Sequence, residues 1–155
     1  MADLANLPDG GAIRENLTRL QRGLDGGDAA ATIGTAKDLI ESTAKVVLTA
    51  EGRPIAKTEG LSSLIKRTHE VVNLHAATAT HTDPKVEEAV RKIRGGLQSV
   101  ALGVVDLRNA AGTGHGHMSA SPSGLADDAR LAAEAAAAWI RSILAAYSKL
   151  TSRTI

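Results

Sequence analysis

Residues 84–110, Pro-Lys-Val-Glu-Glu-Ala-Val-Arg-Lys-Ile-Arg-Gly-Gly-Leu-Gln-Ser-Val-Ala-Leu-Gly-Val-Val-Asp-Leu-Arg-Asn-Ala, decide the fold. Their apolar positions Val86, Val90, Ile93, Leu97, Val100, Val104 and Leu107 step by four and three without a miss, the repeat of one helix face and not the alternation of a strand. Asp83 followed by Pro84 supplies an N-cap and a proline at the first helical position. The pattern predicts a helix along the core from Pro84 to about Ala110. Gly95-Gly96 lies inside it and costs roughly 1 kcal/mol per glycine relative to Ala. That cost predicts either the close approach of a neighbouring helix or a kink.

The flanking chain keeps the same period. Ile13, Leu17, Leu20 and Leu24 predict a helix over residues 10–24, stopped by Gly26-Gly27. Asp28 caps a longer helix with Ile33, Ala36, Ile40, Ala44, Val47 and Leu48 on one face, ended by Gly52-Arg53-Pro54. Residues 54–60 show no periodicity and read as a connector. Leu61, Leu64, Ile65, Val71 and Val72 predict a third helix from Leu61 to about Leu74. Leu125, Ala129, Ala132, Ala136, Trp139, Ile143, Ala146 and Leu150 predict the last, from Leu125 to about Leu150. Five helices with no strand of length predict a single all-α domain over residues 1–155, an up-and-down helical bundle.

Composition bounds what such a bundle does. Hydrophobic residues make up 43% of the 155, yet there is one Trp, one Tyr and no Phe, so Leu, Ile, Val and Ala must build the core. Alanine fills little space and draws helices together. A net charge of +1 creates no broad field for capturing nucleic acid, so any phosphate recognition must be local. The absence of cysteine excludes disulfides, thiolate chemistry and cysteine-based zinc sites. His69, His75 and His81 are spaced by six and match no zinc pattern, so neither a metal nor another cofactor is expected. No stretch approaches the roughly 20 apolar residues of a membrane span, and the N-terminal residues show no leader pattern, which predicts a cytoplasmic protein with no membrane partner.

Chemistry concentrates after the fourth helix, in Leu107-Arg108-Asn109-Ala110-Ala111-Gly112-Thr113-Gly114-His115-Gly116-His117. Arg108 is a permanent cation whose planar fork matches two phosphate oxygens, and His115 is an imidazole that titrates near neutrality. Together they hold a phosphate and move a proton, which suffices to cut RNA without a metal. Asn109 donates to a phosphate or orients His115. Gly112, Thr113, Gly114 and Gly116 form a candidate phosphate-binding loop, although no Lys-Ser/Thr pair follows as in a P-loop. His117 is either a second imidazole or an exposed neighbour. The plain alternative for the whole segment is a helix-to-helix connection in which Arg108 is simply solvated.

Three blocks carry a resemblance: Thr35-Ala36-Lys37-Asp38-Leu39-Ile40-Glu41-Ser42-Thr43-Ala44-Lys45, the segment Leu107-Arg108-Asn109 with Gly112-Thr113-Gly114-His115-Gly116, and Asp128-Ala129-Arg130-Leu131-Ala132. In this order they resemble the C-terminal domain of bacterial abortive-infection proteins, within the HEPN superfamily. The similarity covers residues from about 28 to 150, which leaves the helix over 10–24 as an N-terminal addition to a five-helix HEPN-like bundle.

The resemblance implies that Arg108, Asn109 and His115 fill the superfamily's Arg-polar-His motif, at the long end of its spacing. It further implies a homodimer in which two motifs share a cleft and cleave RNA without metal, acting as a toxin or phage-defence effector, with an antitoxin or defence-system protein as partner. Glu41 and Lys45 match a recurring part of the pattern. They read either as an intrahelical pair or as support in which Glu41 positions Arg108. Some superfamily members are noncatalytic and bind a nucleotide, an antitoxin or a defence partner, and an unrelated helical bundle is the third class.

Overall fold

The Asp28 carboxylate accepts a hydrogen bond from the Ala31 amide at 3.0 Å and so starts the central helix where its side chain predicts. The computed structural model of the chain describes residues 10–111 and 125–153. Among these residues the elements are α1 (Gly10–Gly26), α2 (Ala29–Ala50), α3 (Leu61–Val71), a single 3-10 turn (Ala76–Thr78), α4 (Pro84–Ala111) and α5 (Leu125–Ser152), with no strand. The fold is the all-α bundle read from the periodicity.

Three of these helices end alike. The residues that follow are in the left-handed region, Gly27 at φ 67°, Gly52 at 65° and Asn73 at 57°, and the next amide reaches back to a carbonyl of the last turn. Those bonds run from Asp28 N to Gly23 O, Arg53 N to Leu48 O and Leu74 N to His69 O, at 3.2, 2.8 and 2.8 Å. Asn tolerates this conformation better than most residues, so α3 stops at Val71 rather than at Leu74.

The core sits around α2, which packs against α1, α3, α4 and α5. Ile33, Ala36, Leu39, Ile40, Ala44, Val47 and Leu48 are buried along it. Its buried Thr32 and Thr43 donate to the carbonyls of Asp28 and Leu39, each at 2.8 Å, so no hydroxyl is stranded. At Gly23 a Cβ would lie 2.6 Å from Thr32 Oγ1 and 3.3 Å from its Cα, which shows how closely α1 approaches α2. The two run antiparallel, and Asn16 Nδ2 donates across them to Ser42 Oγ at 2.8 Å. The connector over 54–60 is tied down by Arg67, which donates to both Glu59 carboxylate oxygens and to the Pro54 carbonyl.

α4 departs from the expectation. Its helix is unbroken through Gly95-Gly96, and a Cβ on either glycine would meet nothing within 4 Å, so among the described residues no neighbouring helix approaches closely there. Only Ala101, Val104 and Val105 are buried, whereas Val86, Ile93 and Val100 are 39, 71 and 40% exposed. The core of the bundle accepts the C-terminal half of α4 and leaves much of the predicted stripe in water.

At the centre, Trp139 Nε1 donates to His69 Nε2 at 2.9 Å, with both residues wholly buried. An indole nitrogen only donates, so His69 Nε2 must accept and the ring is neutral with its proton on Nδ1, 3.4 Å from the Leu74 carbonyl. Burial, the largest influence, holds the His69 pKa below its ordinary value of 6.5. The unfolded chain therefore binds this proton more readily than the folded one. The contribution is complete above pH 6.5 and shrinks as pH falls from there toward the lowered folded pKa, by up to about 1.4 kcal/mol per pH unit. Urea unfolding should show that slope, and His69→Leu should flatten it. Trp139→Phe, which strands the Nε2 acceptor, should cost about 1–3 kcal/mol by the same assay.

Candidate functional site

α2 and α5 run parallel. At one end Asp28 and Thr32 of the α2 start meet Asp127 and Arg130 of the α5 start, and at the other Tyr147 comes near Glu51, whose carboxylate, after burial, helps hold the phenol above its ordinary pKa. α4 runs antiparallel to α5, since Ile93 and Leu97 share a groove with Ala146 and Lys149. The C-terminal turn of α4 therefore comes to the same end of the bundle as the first turns of α2 and α5. Arg108 stands on that last turn of α4, and Asn109 follows it.

Both side chains are exposed, and Arg108 makes no hydrogen bond or ion pair among the described residues. The cation also suits its place, because the C-terminal pole of a helix carries partial negative charge. His115, His117, Gly112, Thr113, Gly114 and Gly116 lie outside the described residues. The segment that holds them joins the last turn of α4 to the first turn of α5.

A cleft of about 220 Å³ opens at this end, lined by Gly23, Gly27, Asp28, Thr32, Asp127 and Arg130 among others. Arg130 is exposed and makes no ion pair among the described residues, so it is a second permanent cation beside the α4–α5 junction. Sequence reasoning assigned it no role, although it lies inside the Asp128–Ala132 block. Asp127 and Asp128 occupy the first turn of α5, where the positive helix pole favours them, and they leave the cleft with mixed charge.

Glu41 and Lys45 are elsewhere, on the part-exposed strip of α2. Lys45 Nζ donates to Glu41 Oε1 at 2.6 Å and Lys37 Nζ donates to Oε2, so the Glu41 carboxylate is held by its own helix and not by Arg108. Partial burial alone would raise the Glu41 pKa. The hydrogen bonds and charges of Lys37 and Lys45 outweigh it and hold the carboxyl below its ordinary value.

The three evenly spaced histidines do separate local work. His69 bonds Trp139, while His75 Nδ1 accepts from the Ala77 amide at 3.3 Å and His81 Nδ1 from the Asp83 amide at 3.2 Å. Among the described residues no three His, Asp or Glu side chains gather in metal-binding array. No helix of the described residues is long and apolar enough to cross a membrane.

Compared with protein families, residues 12–147 match the Abi_C family, described as a HEPN-like domain. No curated protein and no solved structure matches the chain.

The Lys37–Glu41–Lys45 triad is part-exposed and local, which bounds its contribution. Glu41→Gln is expected to cost no more than about 1 kcal/mol of stability, and less at high salt. Denaturation at low and high ionic strength checks this, and a larger loss that salt does not diminish would assign Glu41 a role beyond its helix.

Proposed function

The chain belongs to the Abi_C family of HEPN-like domains, and on that premise we propose that it is an endoribonuclease of an abortive-infection or toxin system, cleaving RNA without a metal. The family places the chain among defence-associated modules. The observation that carries the finer reading is Arg108, an exposed cation on the last turn of α4 with no partner among the described residues, directly ahead of the segment bearing His115. A cation with an internal partner would have to give it up to hold a phosphate. Among the described residues Arg108 has nothing of that kind to exchange.

The chemistry asks little of the protein, because RNA brings its own nucleophile. His115 removes the proton from the 2'-hydroxyl, and the 2'-oxygen attacks the adjacent phosphorus. The bond from phosphorus to the 5'-oxygen breaks, and the leaving oxygen takes a proton from an imidazole acting as general acid, supplied by a second protomer. Arg108 binds the nonbridging oxygens and stabilises the charge that builds on them, with Asn109 donating beside it. Arg130 extends the cationic edge toward the neighbouring stretch of RNA backbone. The products are a 2',3'-cyclic phosphate and a 5'-hydroxyl, and DNA is not cut. The partners of this reading are RNA, a second copy of the chain, and an antitoxin or defence-system protein that restrains it.

Purified protein incubated with mixed cellular RNA in excess EDTA should create new ends of those two kinds. His115→Ala should reduce the rate by about 10²–10⁴-fold with the fold intact, the range for loss of a general acid-base group. Arg108→Ala should lose about 10²–10³-fold, as when a donor to a developing oxyanion is removed. Equal cleavage by wild type and His115→Ala would overturn the assignment.

A further inference from the structure

A groove of about 430 Å³ lies between α4, the C-terminal half of α5 and the residues that end α3, a volume within the roughly 300–1,000 Å³ of pockets that hold small molecules. It is separate from the candidate site. Arg94 on its edge stands about 21 Å from Arg108 along α4, at 1.5 Å per residue.

The wall of the groove is aliphatic. Val72 and Leu74 from the end of α3, Leu97 from α4, and Ala145 and Ala146 from α5 supply it, and the small alanines leave the space open. Three cations share the groove, Arg94, Lys149 and Arg153, and no carboxylate lines it among the described residues. Lys149 and Arg153 are one helical turn apart on α5, a spacing at which like charges repel. The C-terminal pole of α5 favours those two, but Arg94 stands mid-helix and has no such support. Its Nη1 donates to the His75 carbonyl at 3.4 Å and to Thr78 Oγ1 at 3.5 Å, both uncharged acceptors. Arg94 is therefore held in place with its charge uncompensated among the described residues.

Because α4 and α5 are antiparallel, passing from Arg94 to Leu97 on one matches passing from Arg153 and Lys149 toward Ala145 on the other. The cations gather toward one end of the groove and the aliphatic wall toward the other. We propose that the groove binds a free single-chain amphiphile, an aliphatic chain ending in a carboxylate or phosphate, with the head on the three cations and the chain along the wall.

Charge and lining select this occupant. Three cations without a carboxylate call for an anion, and guanidinium forks match carboxylate and phosphate oxygens. No aromatic side chain lines the groove, so a nucleobase has nothing to stack on. A peptide would bring backbone amides and carbonyls against the aliphatic wall, where Asn73 and Ser142 are the only uncharged polar side chains to meet them. An aliphatic chain leaves no polar group stranded there.

Isothermal titration with dodecanoate and with dodecyl phosphate, each below its micelle concentration, should show saturable binding. Affinity should rise by up to about fourfold per methylene from hexyl to dodecyl phosphate, the effect of burying each one. Arg94→Gln and Lys149→Gln should each weaken binding by roughly tenfold, as for the loss of a hydrogen bond to a charged group. Ala145→Phe, which fills the groove from an exposed position, should abolish it, with helicity unchanged in every variant. Lys66→Gln removes the same charge from the exposed side of α3 and should change nothing.

No saturable binding, binding indifferent to chain length, or equal weakening by Lys66→Gln and Lys149→Gln would each overturn the proposal. Dodecanol binding as tightly as dodecanoate would do the same. Sedimentation of the chain with phosphatidylglycerol vesicles, reduced by these variants, would assign the cations to a membrane surface and also overturn a free ligand. The titrations contain no RNA, and the groove does not rest on the cleavage reading, so the two stand or fall separately.

Discussion

With one Trp and no Phe to fill space, the core of this chain closes only if its helices come close together, and α2 is where that constraint is met. Every other α-helix packs against it. The contact at Gly23, where no Cβ fits beside Thr32, and the run of buried alanines on α5, from Ala129 to Ala136, are consequences of the same shortage of bulk. Close approach in turn leaves no room for water around polar atoms. The buried threonines bond back into their own helices, and the one large aromatic must bring its N–H to a partner that is also buried. His69 is that partner, and the pairing ties the end of α3 to the middle of α5.

The fold was legible because helical period and caps are local signals. Asp28, Asp83-Pro84, Gly27 and Gly52 mark ends that the chain makes where the residues indicate. The end of α3 was less legible, since Asn73 in the left-handed region looks like any polar residue until its backbone is seen. The pairing of His69 with Trp139 was not legible at all. The two are far apart in sequence, and six-residue histidine spacing carries no information about which ring is enclosed.

α4 illustrates a different limit. A stripe stepping by four and three reports that one helix face is apolar, but not what covers it. Two faces of α4 are apolar: one through Ala101, Val104 and Val105 that meets the bundle, and one through Ile93 and Val100 that does not. Val86, Ile93 and Val100 belong to the second, Leu97 and Leu107 are half-buried against the core at the boundary, and Val104 belongs to the first. Read as a single stripe, they describe a helix buried along its whole length. The glycines follow the same logic, because residues that seem to demand a neighbour inside the chain leave open space beside them.

At the candidate site, residue types come from the sequence and the positions of Arg108 and Arg130 from the topology. The parallel course of α2 and α5, with α4 antiparallel to α5, brings two helix starts and one helix end to a common edge of the bundle. Arg108 and Arg130 come to that edge from opposite sides of the segment that contains His115. A chain of net charge +1 has no diffuse field for gathering a polyanion, so any phosphate recognition would rest on local cations, best placed where no carboxylate already occupies them. Glu41 shows the contrast. Its carboxylate is spent on Lys37 and Lys45 within one helix, whereas Arg108 and Arg130 have no ion pair among the described residues.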